Sequence, residues 1–149
     1  SFLGEKITVG LIAHAQARLR RDGLSPDRFR FERYDGVTFP WPDDSVDFFY
    51  SIAAIQHIPK PHAYKVLLEM HRCLRPGGTA FIQVLSWDSL PRQHVSFAEE
   101  IQNQITGAKT HWHQYYELRE LEAILTHGLG VKYRIIALDG TSIWSAGRK

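Results

Sequence analysis

Residues 46 to 85 hold two apolar runs separated by one amphipathic stretch, an order that few folds accommodate. Val46-Asp47-Phe48-Phe49-Tyr50-Ser51-Ile52 is almost continuously apolar, as a strand covered on both faces would be. From about His62 to Leu74, the side chains of Val66, Leu67, Met70 and Leu74 share one helical face, and Pro61 stands near the start. Pro76-Gly77-Gly78 then ends the helix and turns the chain, and Thr79 to Leu85 reads as a second buried strand. Strand, helix and strand in this order argue for a parallel α/β sheet.

The flanks continue the alternation. Lys6-Ile7-Thr8-Val9 is a short β-rich run, and Gly10 leads into a helical pattern over residues 10–22 that stops near Asp22-Gly23. After a turn at Ser25-Pro26-Asp27, Arg28 to Tyr34 alternates strictly, as a half-buried strand does. Residues 86 to 114 show no clear period. Tyr116 to Thr126 returns to helical spacing, with His127-Gly128 as the stop. Val131 to Leu138 and Thr141 to Ala146 read as strands joined by Asp139-Gly140, a hairpin signal.

Composition narrows the function classes. A chain of 149 residues, 44% hydrophobic and 23% charged, fits one globular domain, taken as residues 1–149. The net charge of +2 and the short Arg18-Leu19-Arg20-Arg21 cluster, placed where a helix dipole favours cations, argue against nucleic-acid binding. Cys73 stands alone, which excludes an internal disulfide, fits a reducing compartment and suits a packed small residue. No stretch reaches the roughly 18 apolar residues of a membrane span and no charged segment leads into an apolar signal, so a cytoplasmic location and no membrane partner are expected.

Four strings carry a resemblance. They are Arg33-Tyr34-Asp35-Gly36, Phe39-Pro40-Trp41-Pro42-Asp43-Asp44-Ser45-Val46-Asp47, Gln56-His57-Ile58-Pro59 and Leu74-Arg75-Pro76-Gly77-Gly78. In this order and spacing they resemble the class I S-adenosylmethionine-dependent methyltransferases. The resemblance implies a Rossmann-like, mostly parallel sheet with helices on both faces and a C-terminal antiparallel hairpin, with S-adenosylmethionine as cofactor and a small-molecule acceptor. It implies that Asp35 accepts a hydrogen bond from the adenine amino group, with Gly36 and Val37 beside the ring. An ionised carboxylate is an acceptor only, which suits that role, although Asp-Gly is also a common turn pair. Ser51, Ile52 and Ala53 fall where the family places backbone groups near the methionine part of the cofactor. His57 falls at the family's histidine, where an imidazole can act as general base for a hydroxyl acceptor or simply cap and pack. Asp47 is expected to be structural, and Phe39, Trp41 and Val46 to be packing residues.

Trp87, His94, His111, Trp112, His113, Tyr115 and Tyr116 fall where the family carries its substrate-covering insert. An aromatic lid and ordinary core packing are both open for them, with Trp87, His111, Trp112 and Tyr115 as the substrate-region candidates. No cysteine or carboxylate cluster at zinc-like spacing accompanies His111-x-His113, so no metal site is expected.

The resemblance begins at the family's second strand. Gly4-Glu5-Lys6-Ile7-Thr8-Val9-Gly10-Leu11-Ile12 aligns with it but puts Lys6 where an acidic residue holds the ribose hydroxyls, and lysine has no acceptor. The family's first strand and glycine-rich loop have no counterpart in these residues, so the domain reads as truncated at its N-terminus. A fragment of a longer protein, a partner segment or homo-oligomer completing the sheet, and a shortened sheet are the three explanations. Methyl transfer, impaired by the missing loop, and a catalytically inactive methyltransferase-like binding or assembly module are the two functional readings.

Overall fold

The computed structural model describes residues 2–29, 31, 35–88, 96–106, 113–130, 133–138 and 140–149. They cluster into two compact units, Ser1–Asp35 and Gly36–Lys149.

In the first unit, helix α1 spans Phe2–Arg21. The strand expected at Lys6–Val9 is therefore helical, and the helix expected from residue 10 begins eight residues earlier. Three β-branched residues, Ile7, Thr8 and Val9, lose only a few tenths of a kcal/mol each in a helix. A strand needs a ladder partner, and this unit has no strand among its described residues. Ile12, Ala15 and Leu19 form its half-buried stripe. The helix ends as a Schellman motif: Leu24 N–H donates to Leu19 O at 3.0 Å and Gly23 N–H to Arg20 O at 3.2 Å. The strand expected over Arg28–Tyr34 is also corrected where it is described. Pro26–Arg28 is a 3₁₀ turn, and Phe29 and Phe31 are not in a strand. Residues 30 and 32–34 lie outside the described residues.

The second unit is built on β1 (Val46–Ser51), α2 (Lys60–Cys73) and β2 (Leu74–Ser86), the strand–helix–strand unit expected from the sequence. β1 and β2 pair in parallel, Phe48 opposite Thr79 through Ser51 opposite Ile82. β5 (Ser142–Arg148) pairs antiparallel with the other edge of β2 and with β4 (Tyr133–Leu138), giving the order β1-β2-β5-β4. The two-residue β3 (Tyr115–Tyr116) pairs in parallel with Leu85 and Ser86. Helices α3 (Phe97–Thr106) and α4 (Leu118–Ala123) complete the elements, α4 running into a π turn over Ile124–Gly128. This is the expected α/β Rossmann-like sheet with its antiparallel terminal hairpin. α2 buries Ala63, Val66, Leu67 and Met70 against Ala80, Ile82 and Val84 of β2 and Ile143 of β5.

Two local expectations change. β2 begins at Leu74 and runs through the Pro-Gly-Gly string instead of starting at Thr79. Gly77 adopts φ 80, and a Cβ on Gly78 would meet Leu74 Cδ1 at 2.8 Å and Arg75 O at 2.9 Å, so one glycine serves the bend and the other the close approach. β1 is not covered on both faces. It stands first in the strand order, and Phe48 and Tyr50 are 55% and 67% exposed with their rings stacked at 6.2 Å. Phe49, on the opposite side, packs on Phe39 and Trp41.

The acidic string before β1 is tied to the end of α2 and to β2. Asp43 pairs with Arg72 at 2.6 Å, Asp44 with Lys149 at 2.7 Å, and Asp47 with Arg75. Glu69, nearly buried, receives the Arg72 guanidinium at 2.8 Å and the Phe39 N–H at 3.0 Å, while Arg72 also donates to the carbonyls of Phe39 and Trp41. Asp47 thus pairs with Arg75 of β2 at the entry of β1.

Candidate functional site

The sheet forks at the carboxyl end of β1. Leu85 of β2 faces Ser142 of β5 on one edge and Tyr115 of β3 on the other, so β3 continues the edge that β1 leaves after Ser51 and Ile82. The chain leaving β1 bends through Ile52, Ala53 and Ala54 into a 3₁₀ turn over Ile55–His57. That turn is fastened to the segment before β3 by Gln114 N–H donating to Gln56 O at 2.6 Å. In open α/β sheets, divergence of neighbouring strands at their carboxyl ends opens the crevice in which ligands bind.

Four rings line up along this fork. His57 and His113 lie 4.9 Å apart by ring centroid, His113 and Tyr115 6.3 Å, and Tyr115 stacks on Trp87 at 5.1 Å. His57 is exposed, His113 and Trp87 are half-buried, and Tyr115 is buried. The structure therefore brings the expected base, His57, together with Trp87 and Tyr115 of the expected substrate region. His94, His111 and Trp112 lie outside the described residues. Ser51 is half-buried at the last position of β1, and Ile52 is 50% exposed. Gly36 is half-buried and Val37 exposed at the start of the second unit, and Asp35 is exposed at the end of the first.

Tyr116, the next residue on β3, points to the opposite side and into the core. Its hydroxyl is buried without a partner among the described residues, and burial, with Tyr64 and Glu120 nearby, pushes its pKa well above the phenol range. Lys60 Nζ lies 4.8 Å from its ring centre and pairs with Glu120 at 2.6 Å, and Glu120 also accepts from Tyr64. This cluster binds α2 to α4 behind the fork.

Beyond the end of β2 opens a cleft of about 330 Å³. Trp87, Leu118 and Ile143 give it apolar surface, and Asp88, Glu117 and Arg119 give it charge. Its size lies at the small end of the range for small-molecule sites. Asp88, Leu118, Arg119 and Ile143 were not marked by sequence reasoning, since the stretch around residue 88 has no period and the others read as helix or strand. Helix α3 was missed too, although its signature was legible. Ser96 and Glu99 form a reciprocal capping box, Glu99 N–H donating to Ser96 Oγ at 3.2 Å and Ser96 N–H to Glu99 Oε2 at 2.9 Å. Among the described residues, no three His, Cys, Asp or Glu side chains are gathered as metal ligands would be, and no helix is long and apolar enough to cross a membrane.

Comparison with known proteins places this geometry. Residues 2–82 match the profile of a family described as "Methyltransferase domain". Methyltransferase GfsG of Streptomyces halstedii is 36% identical over 75 residues, covering 50% of this chain and 26% of the relative. Malonyl-[acyl-carrier protein] O-methyltransferase 1 of Coxiella burnetii is 31% identical over 90 residues, covering 60% and 28%. The chain thus spans about a quarter of the length of these relatives. Among solved structures, a Pyrococcus horikoshii OT3 protein superposes with a TM-score of 0.70 at 15% identity, over 93% of this chain and 66% of that one. A SAM-dependent methyltransferase from Methanosarcina mazei gives 0.59 at 14% identity, over 80% and 66%. These likenesses establish the fold, and the profile match, which takes in more than half of the chain, establishes the lineage: the chain belongs to the class I methyltransferase-domain family, whose cofactor is S-adenosylmethionine.

Proposed function

We propose that residues 1–149 contribute, as one methyltransferase-like domain, the acceptor side of an enzyme that methylates a small molecule. The observation that carries this reading is the row of rings from His57 to Trp87 at the sheet fork, next to the cleft beyond β2.

The residues at the rim suit the cofactor in kind. Val37 and Ile52 offer exposed apolar surface for a purine. Ser51 offers a hydroxyl, residues 51–54 offer backbone groups, and Gln56 Oε1 is buried without a partner among the described residues. Asp35, with Gly36 and Val37 following it, is the adenine anchor in this reading. S-adenosylmethionine supplies a methyl group on a sulfonium. This chain's own part is to orient the acceptor and take up its proton, which is chiefly a matter of proximity. His57 Nδ1 or Nε2 receives the proton of an acceptor hydroxyl or amine. His113, packed on the His57 ring, limits its rotation. Trp87 and Tyr115 shield the reacting groups from water; His111 and Trp112, the other candidates of the substrate region, lie outside the described residues.

Isothermal titration of the chain with S-adenosylhomocysteine tests the cofactor side. Binding is expected, and Asp35→Ala should weaken it by about 1–3 kcal/mol, the usual cost of removing one partner of a buried polar contact. Wild-type binding that Asp35→Ala leaves unchanged would remove Asp35 from the site. No binding to the wild-type chain would favour the inactive binding or assembly module.

A further inference from the structure

One buried polar side chain reaches the loop that leaves β1. Gln83 sits toward the carboxyl end of β2 and is 5% exposed. Its Oε1 accepts the N–H of Ala53 at 2.6 Å, and its Nε2 donates to Ser142 Oγ of β5 at 2.8 Å. One amide therefore links the exit of β1, β2 and β5, three neighbours in the sheet order. Ala53 has φ 53, in the left-handed region that an alanine adopts at a cost. Such a conformation persists where surrounding contacts over-determine it, and the Gln83 carbonyl supplies that contact here.

Gln83 lies on the face of β2 opposite the buried, apolar Ile82 and Val84, with Trp144 of β5 as its partner across the ladder. The side chain fixes the turn at Ala53, and thereby the direction in which Ser51 and Ile52 face beyond the end of the sheet.

We infer that Gln83 is a positioning residue of the cofactor rim: it holds Ala53 in its left-handed conformation, so that the loop after β1 is pre-shaped before S-adenosylmethionine binds. This inference rests on the proposed function for the ligand but not for the tether itself. The two are separable by experiment.

The test pairs amide exchange with binding. In the wild-type chain the Ala53 amide should be protected from hydrogen–deuterium exchange. Gln83→Leu should speed that exchange on the order of tenfold or more, the scale of one lost hydrogen bond, while the Ile82 and Val84 amides keep their protection. Gln83→Glu, which retains an acceptor, should keep Ala53 protected. Gln83→Met, similar in length to glutamine, serves as the second variant should Gln83→Leu not fold. S-adenosylhomocysteine affinity should fall about tenfold in Gln83→Leu and recover when Ala53→Gly is added, because glycine takes positive φ without the tether. Unchanged Ala53 exchange in both Gln83→Leu and Gln83→Met would overturn the tether. Altered exchange with unchanged affinity would overturn its role in binding. Altered exchange in a chain whose wild type does not bind would refute the proposed function, and with it the rim, while the tether stands.

Discussion

The Glu69 clasp gives the sharpest stability prediction. Glu69 is 8% exposed at its side chain and accepts the Arg72 Nε–H at 3.1 Å, an Arg72 terminal N–H at 2.8 Å and the Phe39 N–H at 3.0 Å. Glu69→Ala leaves a cation and an amide without that acceptor, and breaking a buried pair by removing one partner costs about 3–5 kcal/mol. Arg72 keeps Asp43 and two backbone carbonyls, so the low end applies, about 3 kcal/mol. Glu69→Gln retains one acceptor and should cost about 1–2 kcal/mol. The hydrogen bonds from Arg72, then the Phe39 N–H and the charges of Arg72 and Lys65, hold the Glu69 carboxyl below the usual carboxylate range against an opposing desolvation effect. Because the folded pKa is the lower one, the stabilisation is fully present above the unfolded value near 4.5 and is lost as pH falls through the folded value. Urea titrations followed by circular dichroism at pH 7 and at successive steps below pH ~4.5 check both parts. The gap between wild type and Glu69→Gln should be full at pH 7 and should shrink as the pH is lowered. A Glu69→Ala cost under about 0.5 kcal/mol, the size of an ordinary surface change, or a gap independent of pH would refute the clasp.

Two further outcomes follow from packing. A Cβ at Gly147 would lie 2.6 Å from Cγ of Tyr133, its cross-strand neighbour, so Gly147→Ala should destabilise by about 1–3 kcal/mol in a thermal melt. Cys73 is fully buried and burial pushes its thiol pKa up, so a water-soluble disulfide reagent at neutral pH should leave the folded chain unmodified and label it fully in urea.

The strand–helix–strand unit and the terminal hairpin were legible because each element buries one face, which imposes its period on the residues. Val66, Leu67 and Met70 all reach the core, as their spacing predicts. Lys6 to Val9 misled because four residues carry too little pattern to choose between a strand and the first turns of a helix. The exposure of Phe48 and Tyr50 was illegible for another reason. An apolar run records what a strand can bury, not which neighbours it has, and β1 stands at the end of the strand order. At the fork, His57 and Tyr115 were visible as residue types. The contact that joins their segments, Gln56 O to Gln114 N–H, is between backbone atoms and leaves no trace in side-chain identity.

Two of the strings that reveal the family hold the fold together, and the ion pairs show how. Asp43, Asp44 and Asp47 belong to one string, and Arg72 and Arg75 flank or belong to the other; in space they join, with Lys149 completing the set. Their spacing follows from the turn before β1 lying against the end of α2 and the start of β2. That constraint holds for any acceptor, since none of these groups lines the fork or the cleft. The cleft beyond β2 is lined instead by Trp87, Asp88, Leu118 and Arg119, at strand ends and helix starts. A surface of that kind has no period to obey, so its sequence is free to follow the ligand. The same freedom that hides residues 86 to 114 from pattern reasoning is what lets one fold serve many acceptors.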